Sequence, residues 1–381
     1  MIPDRRPEEG PRTASQDCLE ALREFFAGRP RILEWGIAPA RPTPNAERLR
    51  AWVDKGHHGG MEYMAARLQE RVDPQSFHAW AESAVVFAFP YARPLGDAGS
   101  EGGGADGRGG ESRYRIAAYA GATDYHDEAR MLLREAEAFL KERTGRADLR
   151  FYGFADTAPV FERDLASEAG LGWRGKNCCT LNRDHGSAFH LSGFFLDTEL
   201  PCSPPLEDFC GGCTRCLDQC PTGAFLGPGQ LDANKCISYW TIEAKSELPQ
   251  DLTEKFGGWI FGCDICQEVC PWNHKSMQAA RKERGSLRDQ GGISEARIFP
   301  ESGVAWLKLL RKGGGFQSRF KRSPLTRAGR KSLVRNVAVA AANLGDLSLL
   351  EPLLEMLPEE NDPAVRLEIE KAVARLRRLI P

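Results

Sequence analysis

Cys210-Gly211-Gly212-Cys213-Thr214-Arg215-Cys216-Leu217-Asp218-Gln219-Cys220-Pro221 is the stretch that decides how the rest of the chain reads. Cysteines spaced by two, two and three residues and closed by proline form the bacterial ferredoxin run for a cubic 4Fe–4S cluster. A tight loop presents three thiolates to one face of the cube, and the fourth, on the proline-bent chain, reaches a different cluster. A second run, Cys263-Asp264-Ile265-Cys266-Gln267-Glu268-Val269-Cys270-Pro271, lacks one cysteine of that pattern, and Cys236 between the two supplies it. By this crossing, one cluster takes Cys210, Cys213, Cys216 and Cys270; the other takes Cys220, Cys236, Cys263 and Cys266. CxxC pairs also build zinc ribbons, but the x2-x2-x3 run and the two Cys-Pro endings favour iron–sulfur. Cys18, Cys178, Cys179 and Cys202 are left over. Adjacent Cys178 and Cys179 could be reactive, although a free cysteine is more often a small buried hydrophobe.

Outward from this cassette, composition sets the frame. The chain has 381 residues, 41% apolar and 27% charged, which suits two or three soluble domains. No apolar run approaches a membrane span, and the first residues carry charge with no apolar stretch behind them, so a cytoplasmic, reducing location is expected. Twelve cysteines there point to metal rather than disulfides. The formal charge of −2 conceals an asymmetry: between Ser302 and Gly345 stand ten basic residues and no acid, leaving −12 (−2 minus +10) for the remainder. Such a split points to a polyanionic partner, nucleic acid above all, against the plainer reading of a solvated basic face.

The first two hundred residues read as mixed α/β. Leu19–Ala27 has helical spacing, Arg31–Ile37 and Ala84–Phe89 look like buried strands, and Tyr125–Arg143 is a long helix with Gly145 as its C-cap. Gly96–Ser112, with eight glycines in seventeen residues, lacks the strand–helix frame of a phosphate loop and reads as a surface insertion. From Leu333 the pattern is helical: Leu333, Val337, Ala341 and Leu344; then Leu349, Leu350, Leu353, Leu354 and Leu357; then Val365, Ile369, Val373 and Leu376 behind Asp362-Pro363. Short amphipathic helices with tight turns suggest HEAT-like repeats, too few to stand without packing on the preceding domain.

Several longer motifs surround the cassette: Gly59–Met64, Arg71-Val72-Asp73-Pro74, Thr123-Asp124-Tyr125-His126, Asp156-Thr157-Ala158-Pro159 with Glu162-Arg163, Gly170–Asn177, Cys236–Glu243 and Gly262–Asn273. Over nearly its whole length the chain resembles the epoxyqueuosine reductases. The resemblance implies an α/β cobalamin-binding catalytic domain (1–205), a ferredoxin-like domain with two 4Fe–4S clusters (206–275) and a basic HEAT-like tRNA-binding domain (276–381). It implies removal of the epoxide oxygen of epoxyqueuosine at the tRNA wobble position, giving queuosine. An external electron donor would feed the clusters, reduced cobalamin would be the reactive centre, and the enzyme would act as a monomer on the anticodon arm.

By the same resemblance, Asp156 matches the family's proton donor, although on its own Asp-Thr-Ala-Pro reads as a helix N-cap. A donor at pH 7 requires a pKa raised by roughly 3 units from ~3.9, which demands burial. Arg71, Asp156, Lys176, Asn177, Ser238, Cys263 and Asp264 match stretches expected to touch cobalamin, with glycines beside Lys176 letting backbone approach the macrocycle. Arg319, Lys321, Arg322, Arg327, Arg330 and Lys331 would grip tRNA phosphates, with Lys245 nearer the active site. His57, His58 and His126 read as surface or hydrogen-bonding histidines. Where some relatives carry a cysteine, this chain has Ala117 and Ala118. Two rivals are a reductive dehalogenase, which has no need of the basic segment, and a corrin-free electron carrier.

Overall fold

The computed structural model describes residues 13–91, 95, 114–275, 299–300 and 302–380; the glycine-rich stretch Gly96–Ser112 lies outside them. At the centre is a four-stranded sheet in the order Glu34–Pro39, Ser83–Pro90, Phe189–Leu196, Phe151–Phe154. Every neighbouring pair is antiparallel, Val85 facing Ile37 on one side and Phe194 on the other. The first strand begins at Glu34 and runs to Pro39, three residues later than the apolar pattern suggests at its start, because Arg31 and Ile32 sit in the turn after the first helix.

Ser83–Pro90 is buried on both faces, and its alternation assigns each face a core. Val85, Phe87 and Phe89 pack with Leu22, Phe25, Leu133, Ala136 and Leu140 from the helices Ala14–Ala27 and Tyr125–Thr144. Ala84, Val86 and Ala88 face Leu165 and Ala166 of the short helix Glu162–Glu168. Each large apolar side chain buried this way contributes about 1.5–3 kcal/mol. The Tyr125–Thr144 helix starts at Asp124, whose carboxylate accepts from the His126 N–H, and ends on Gly145 at φ 66°, the left-handed stop its sequence announces.

The C-terminal helices Gly329–Leu344, Leu350–Met356 and Pro363–Arg377 form where the apolar stripes place them, with Gly345 (φ 61°) and the Asp362 cap as their punctuation. They do not enclose a core alone. Ile116, Ile242, Ile260 and Phe261 from the cysteine-rich segment and its neighbour enter the same cluster as Trp306, Leu333, Val337 and Ile369. Arg335 and Asn336 fasten the contact: Arg335 donates to the carbonyls of Trp240 and Ser246 at 2.7 and 2.8 Å, and Asn336 to those of Thr241 and Ile260, both at 2.9 Å. A short parallel pair, Arg115–Ile116 with Trp259–Phe261, stitches the sheet domain to the cysteine-rich segment. Among the described residues no helix is long and apolar enough to cross a membrane.

Candidate active site and cysteine centres

Cys210, Cys213, Cys216 and Cys270 line one cavity of about 240 Å³, walled by Phe209 and Trp272. Burial pushes the Cys216 thiol up to about 11, with Cys270 and Cys210 adding to it. Among the other thiols, Cys236 feels the charge of Cys220 and Cys178, and Cys266 that of Cys179, Cys263 and Cys236. The cavity gathers the four thiols that the crossing pattern groups first, whereas Cys178 and Cys179 act on the other group alongside its own members. Among the described residues no three His, Cys, Asp or Glu side chains converge on a single-ion position; the first set surrounds a space rather than a point. Cys179 stands next to Cys266, outside the four. Cys18 and Cys178 are buried as small hydrophobes would be, whereas Cys202 is exposed.

Lys176 and Asn177 both bond to these loops. The Lys176 ammonium donates to the carbonyls of Gly211 and Cys213 at 2.6 and 3.0 Å, and the buried Asn177 amide donates to Cys266 O at 3.2 Å. The neighbouring glycines do not face a ligand. Trp173–Arg174 and Thr180–Leu181 form a hairpin, and a Cβ on Gly172 would stand 2.2 Å from the Leu181 carbonyl oxygen. Their smallness serves strand packing. Gly262, at φ 68°, likewise admits Ala117, whose Cβ would be 2.5 Å from a side chain there. Beside it the buried Asp264 accepts from the Ala118 N–H at 2.6 Å, and burial pushes its carboxyl up to about 7. Ser238 is half-buried in the helix Ile237–Ile242, directly after Cys236.

Asp156 follows the strand Phe151–Phe154 on a residue at φ 49°, a left-handed conformation that Asp tolerates better than most. Its N–H donates to Glu162 Oε1 at 2.5 Å. Three groups converge on its Oδ2: the Tyr125 hydroxyl at 2.8 Å, His126 Nε2 at 3.5 Å and Arg327 Nη1 at 3.5 Å. Desolvation works against the charge, but His126, Tyr125 and Arg327 outweigh it and hold the carboxyl well below the usual range. The side chain is also 46% exposed. Both findings correct the sequence-based requirement of a buried, raised acid: in this arrangement Asp156 is an anion.

Its neighbours hold the protons instead. Despite burial, hydrogen bonds and charge from Asp124 and Asp156 raise His126 to about 9. Burial, reinforced by the Asp156 charge, pushes Glu162 up to about 8. His190 stacks on Tyr125 at 4.3 Å and 11°, and burial drops it to about 3. His126 is therefore not the incidental histidine it seems in the sequence. Its signal was Asp124 two residues earlier, the spacing at which one carboxylate caps a helix and reaches the imidazole. Arg71 is buried beside this site, donating to the Ala158 carbonyl at 3.4 Å, and its Nε is buried without a partner among the described residues.

The basic segment is less free than its composition suggests. Arg322 pairs with Asp127 at 2.7 Å, Arg330 with Glu360 at 2.7 Å and Lys331 with Asp362 at 3.2 Å. Arg327 binds Glu243 at 2.5 Å as well as Asp156 and the Tyr63 hydroxyl. The Lys245 ammonium is bound by the carbonyls of Ile242, Arg327 and Ala328 at 2.8–3.1 Å. Acids distant in sequence fold back onto cations that have none nearby. Arg319 and Lys321 are exposed. Lys245, Arg330, Lys331 and the buried Arg335 also line a cavity of about 490 Å³ at the start of the Gly329–Leu344 helix.

Comparison with known proteins gives these features a common setting. Residues 71–157 match the family model "Epoxyqueuosine reductase QueG, DUF1730", and residues 209–273 match a 4Fe-4S double cluster binding domain. The epoxyqueuosine reductase of Pseudomonas aeruginosa is 35% identical over 89% of this chain and 90% of its own. That of Cyclobacterium marinum is 38% identical over 79% and 90%, respectively. Among solved structures, an epoxyqueuosine reductase bound to an epoxyqueuosine-modified tRNA-Tyr stem loop superposes with a TM-score of 0.73, at 26% identity, over 96% of this chain and all of that one. A Bacillus subtilis epoxyqueuosine reductase structure, in which the loop of its catalytic Asp is swung out of the active site, gives 0.71 at 26% identity over 96% and 100%. With the double-cluster cysteines, the Asp-centred site and relatives matched across most of their length, this chain belongs to the epoxyqueuosine reductase family.

Proposed function

We propose that the chain reduces epoxyqueuosine in tRNA to queuosine, with electrons entering through two 4Fe–4S clusters, Asp156 at the reacting centre and cobalamin as the remaining cofactor. The observation that carries this reading is the presence, in one family member, of a 4Fe-4S double cluster segment with four cysteines around one cavity and of a carboxylate held by Tyr125, His126 and Arg327. Removing the epoxide oxygen breaks two C–O bonds, forms a C=C bond and releases water, which takes two electrons and two protons. Single-electron carriers and a positioned acid match that requirement.

The fit to cobalamin rests on Arg71, whose orphaned Nε beside the Asp156 loop is a donor that a polar rim group would satisfy. Ser238, Cys263 and Asp264 are the further candidates to hold it, and bound cobalamin would supply a strongly reducing metal centre. Lys176 and Asn177 keep the cysteine loops in register. Arg327 and Tyr125 fix the carboxylate's direction, Oδ2 inward and Oδ1 outside these bonds. The three-part division at 205 and 275, the HEAT-like character of the last helices and their grip on the anticodon arm belong to the same reading. Support for tRNA comes from the exposed basic residues and from the stem loop bound by a relative.

The test is an anaerobic assay with an epoxyqueuosine-modified stem loop, reading the loss of one oxygen by mass. About eight iron and one cobalt per chain should accompany activity. Iron without cobalt, and no conversion at any cobalamin concentration, would favour the corrin-free electron carrier.

A further inference from the structure

An anionic Asp156 has no proton to give, and the same cluster of side chains shows where one is kept. His126 Nδ1 lies 2.7 Å from Asp124 Oδ1, and that carboxylate also caps the helix on which His126 stands. Nε2 is buried and faces Asp156 Oδ2 at 3.5 Å, its one polar neighbour on that side among the described residues. A carboxylate, an imidazole and a second carboxylate thus form a chain, the first fixing the ring and the last partly exposed. We propose that His126, oriented by Asp124, loads Asp156 with the proton that Asp156 passes to the departing epoxide oxygen. This rests on Asp156 being the donor to substrate; His126 acts through it.

The step balances. As the C–O bond breaks and two electrons reach the substrate from the external donor by way of the clusters, Nε2 gives its proton to Asp156, which passes it to the oxygen and is left an anion again. The imidazole recovers a proton from solvent, and a second passage converts the hydroxide lost as the C=C bond forms into water. An imidazolium near neutral pH suits this duty better than a lone carboxyl held low by its partners. The groups facing the imidazole are Asp124 on its own helix, Asp156 and Glu162 across the site, and His190 from the sheet. Tyr125 stacks on it at 4.2 Å, and Arg130 donates to the His126 carbonyl at 3.0 Å. Arg327 reaches Asp156 from the other side.

Single-turnover reduction of the modified stem loop by the holoenzyme, followed across pH, tests the relay. The wild type should lose rate on a basic limb near 9. His126→Gln should fall by roughly 100-fold and lose that limb. Asp124→Asn should move the limb downward, roughly tenfold slower at pH 8. Histidine-selective ¹⁵N NMR supplies a readout independent of turnover, with the His126 imidazole titrating near 9 and lower in Asp124→Asn. If His126→Gln keeps the limb, it belongs to another group such as Glu162 and the relay is overturned. An imidazole titrating at an ordinary histidine value overturns it too. Asp156→Asn separates the layers: inactive Asp156→Asn with a normal His126→Gln profile removes only the relay, whereas active Asp156→Asn removes the donor reading itself.

Discussion

Replacing Arg335 with methionine should loosen the helical domain from the cysteine-rich segment while leaving every cluster ligand in place. Arg335 is 1% exposed, and its guanidinium donates to the Trp240 and Ser246 carbonyls at 2.7 and 2.8 Å and to Asn336 Oδ1 at 3.2 Å. Burial lowers it to about 10, still a cation at neutral pH. A hydrogen bond to a charged group contributes about 1.5–3 kcal/mol net, so losing both carbonyl bonds costs about 3–6 kcal/mol. Burying an apolar stem in place of the guanidinium returns about 1 kcal/mol. A net loss of about 2–5 kcal/mol corresponds to a fall of roughly 3–6 °C in melting temperature for a chain of this size. Arg335→Lys keeps a charge but reaches one carbonyl, and should cost about half as much. Anaerobic melts followed by far-UV circular dichroism and by cluster absorbance measure the effect. Stem-loop affinity should drop with it, and iron content should not. A methionine variant melting within about a degree of wild type would show that the contact depends on the apolar core alone.

Cys236→Ala and Cys220→Ala should each disable the same cluster, because the crossing pattern gives both thiols to one set. Cys178→Ala and Cys179→Ala should keep full iron by chemical assay; lost iron in Cys179→Ala would make the thiol beside Cys266 a ligand. Lys321→Glu, at an exposed lysine, should weaken stem-loop binding and reduce the slope of log affinity against log salt by roughly 0.7–0.9. An unchanged slope would return the basic face to mere solvation. Because His126 is raised in the folded chain, the stability it confers is fully present below the unfolded value near 6.5 and is lost as pH rises through about 9. Wild type should therefore lose up to about 3 kcal/mol more than His126→Gln between pH 6 and pH 10; parallel denaturation curves would contradict this.

What the sequence makes legible is what depends on spacing. The grouping of Cys210, Cys213 and Cys216 around one cavity follows from intervals of two residues, and the last helices follow from apolar stripes broken by Gly345 and Asp362. The proton-bearing partners of Asp156 are illegible for the opposite reason. Tyr125 and His126 lie thirty residues upstream and Arg327 far downstream, and only folding brings them to one oxygen. Lys176 and Asn177 sit in a motif whose glycines suggest a ligand, yet the Leu181 carbonyl accounts for their absence of side chains. The acid-free run also hides its partners, since Asp127, Glu243, Glu360 and Asp362 reach four of its cations from elsewhere in the chain.

Arg327 spans the distance between two jobs. Its guanidinium touches Asp156, Glu243 and Tyr63, although its backbone belongs to the segment expected to meet phosphate. A polyanion approaching that segment competes with Asp156 for the same cation. Withdrawing Arg327 would remove one of the charges that keep Asp156 ionised, so the acid would strengthen its hold on a proton as the polyanion arrives. Without that competition Arg327 would stay on the carboxylate and keep it ionised. The chemistry would then be timed by occupancy, through one side chain, without any hinge or lid.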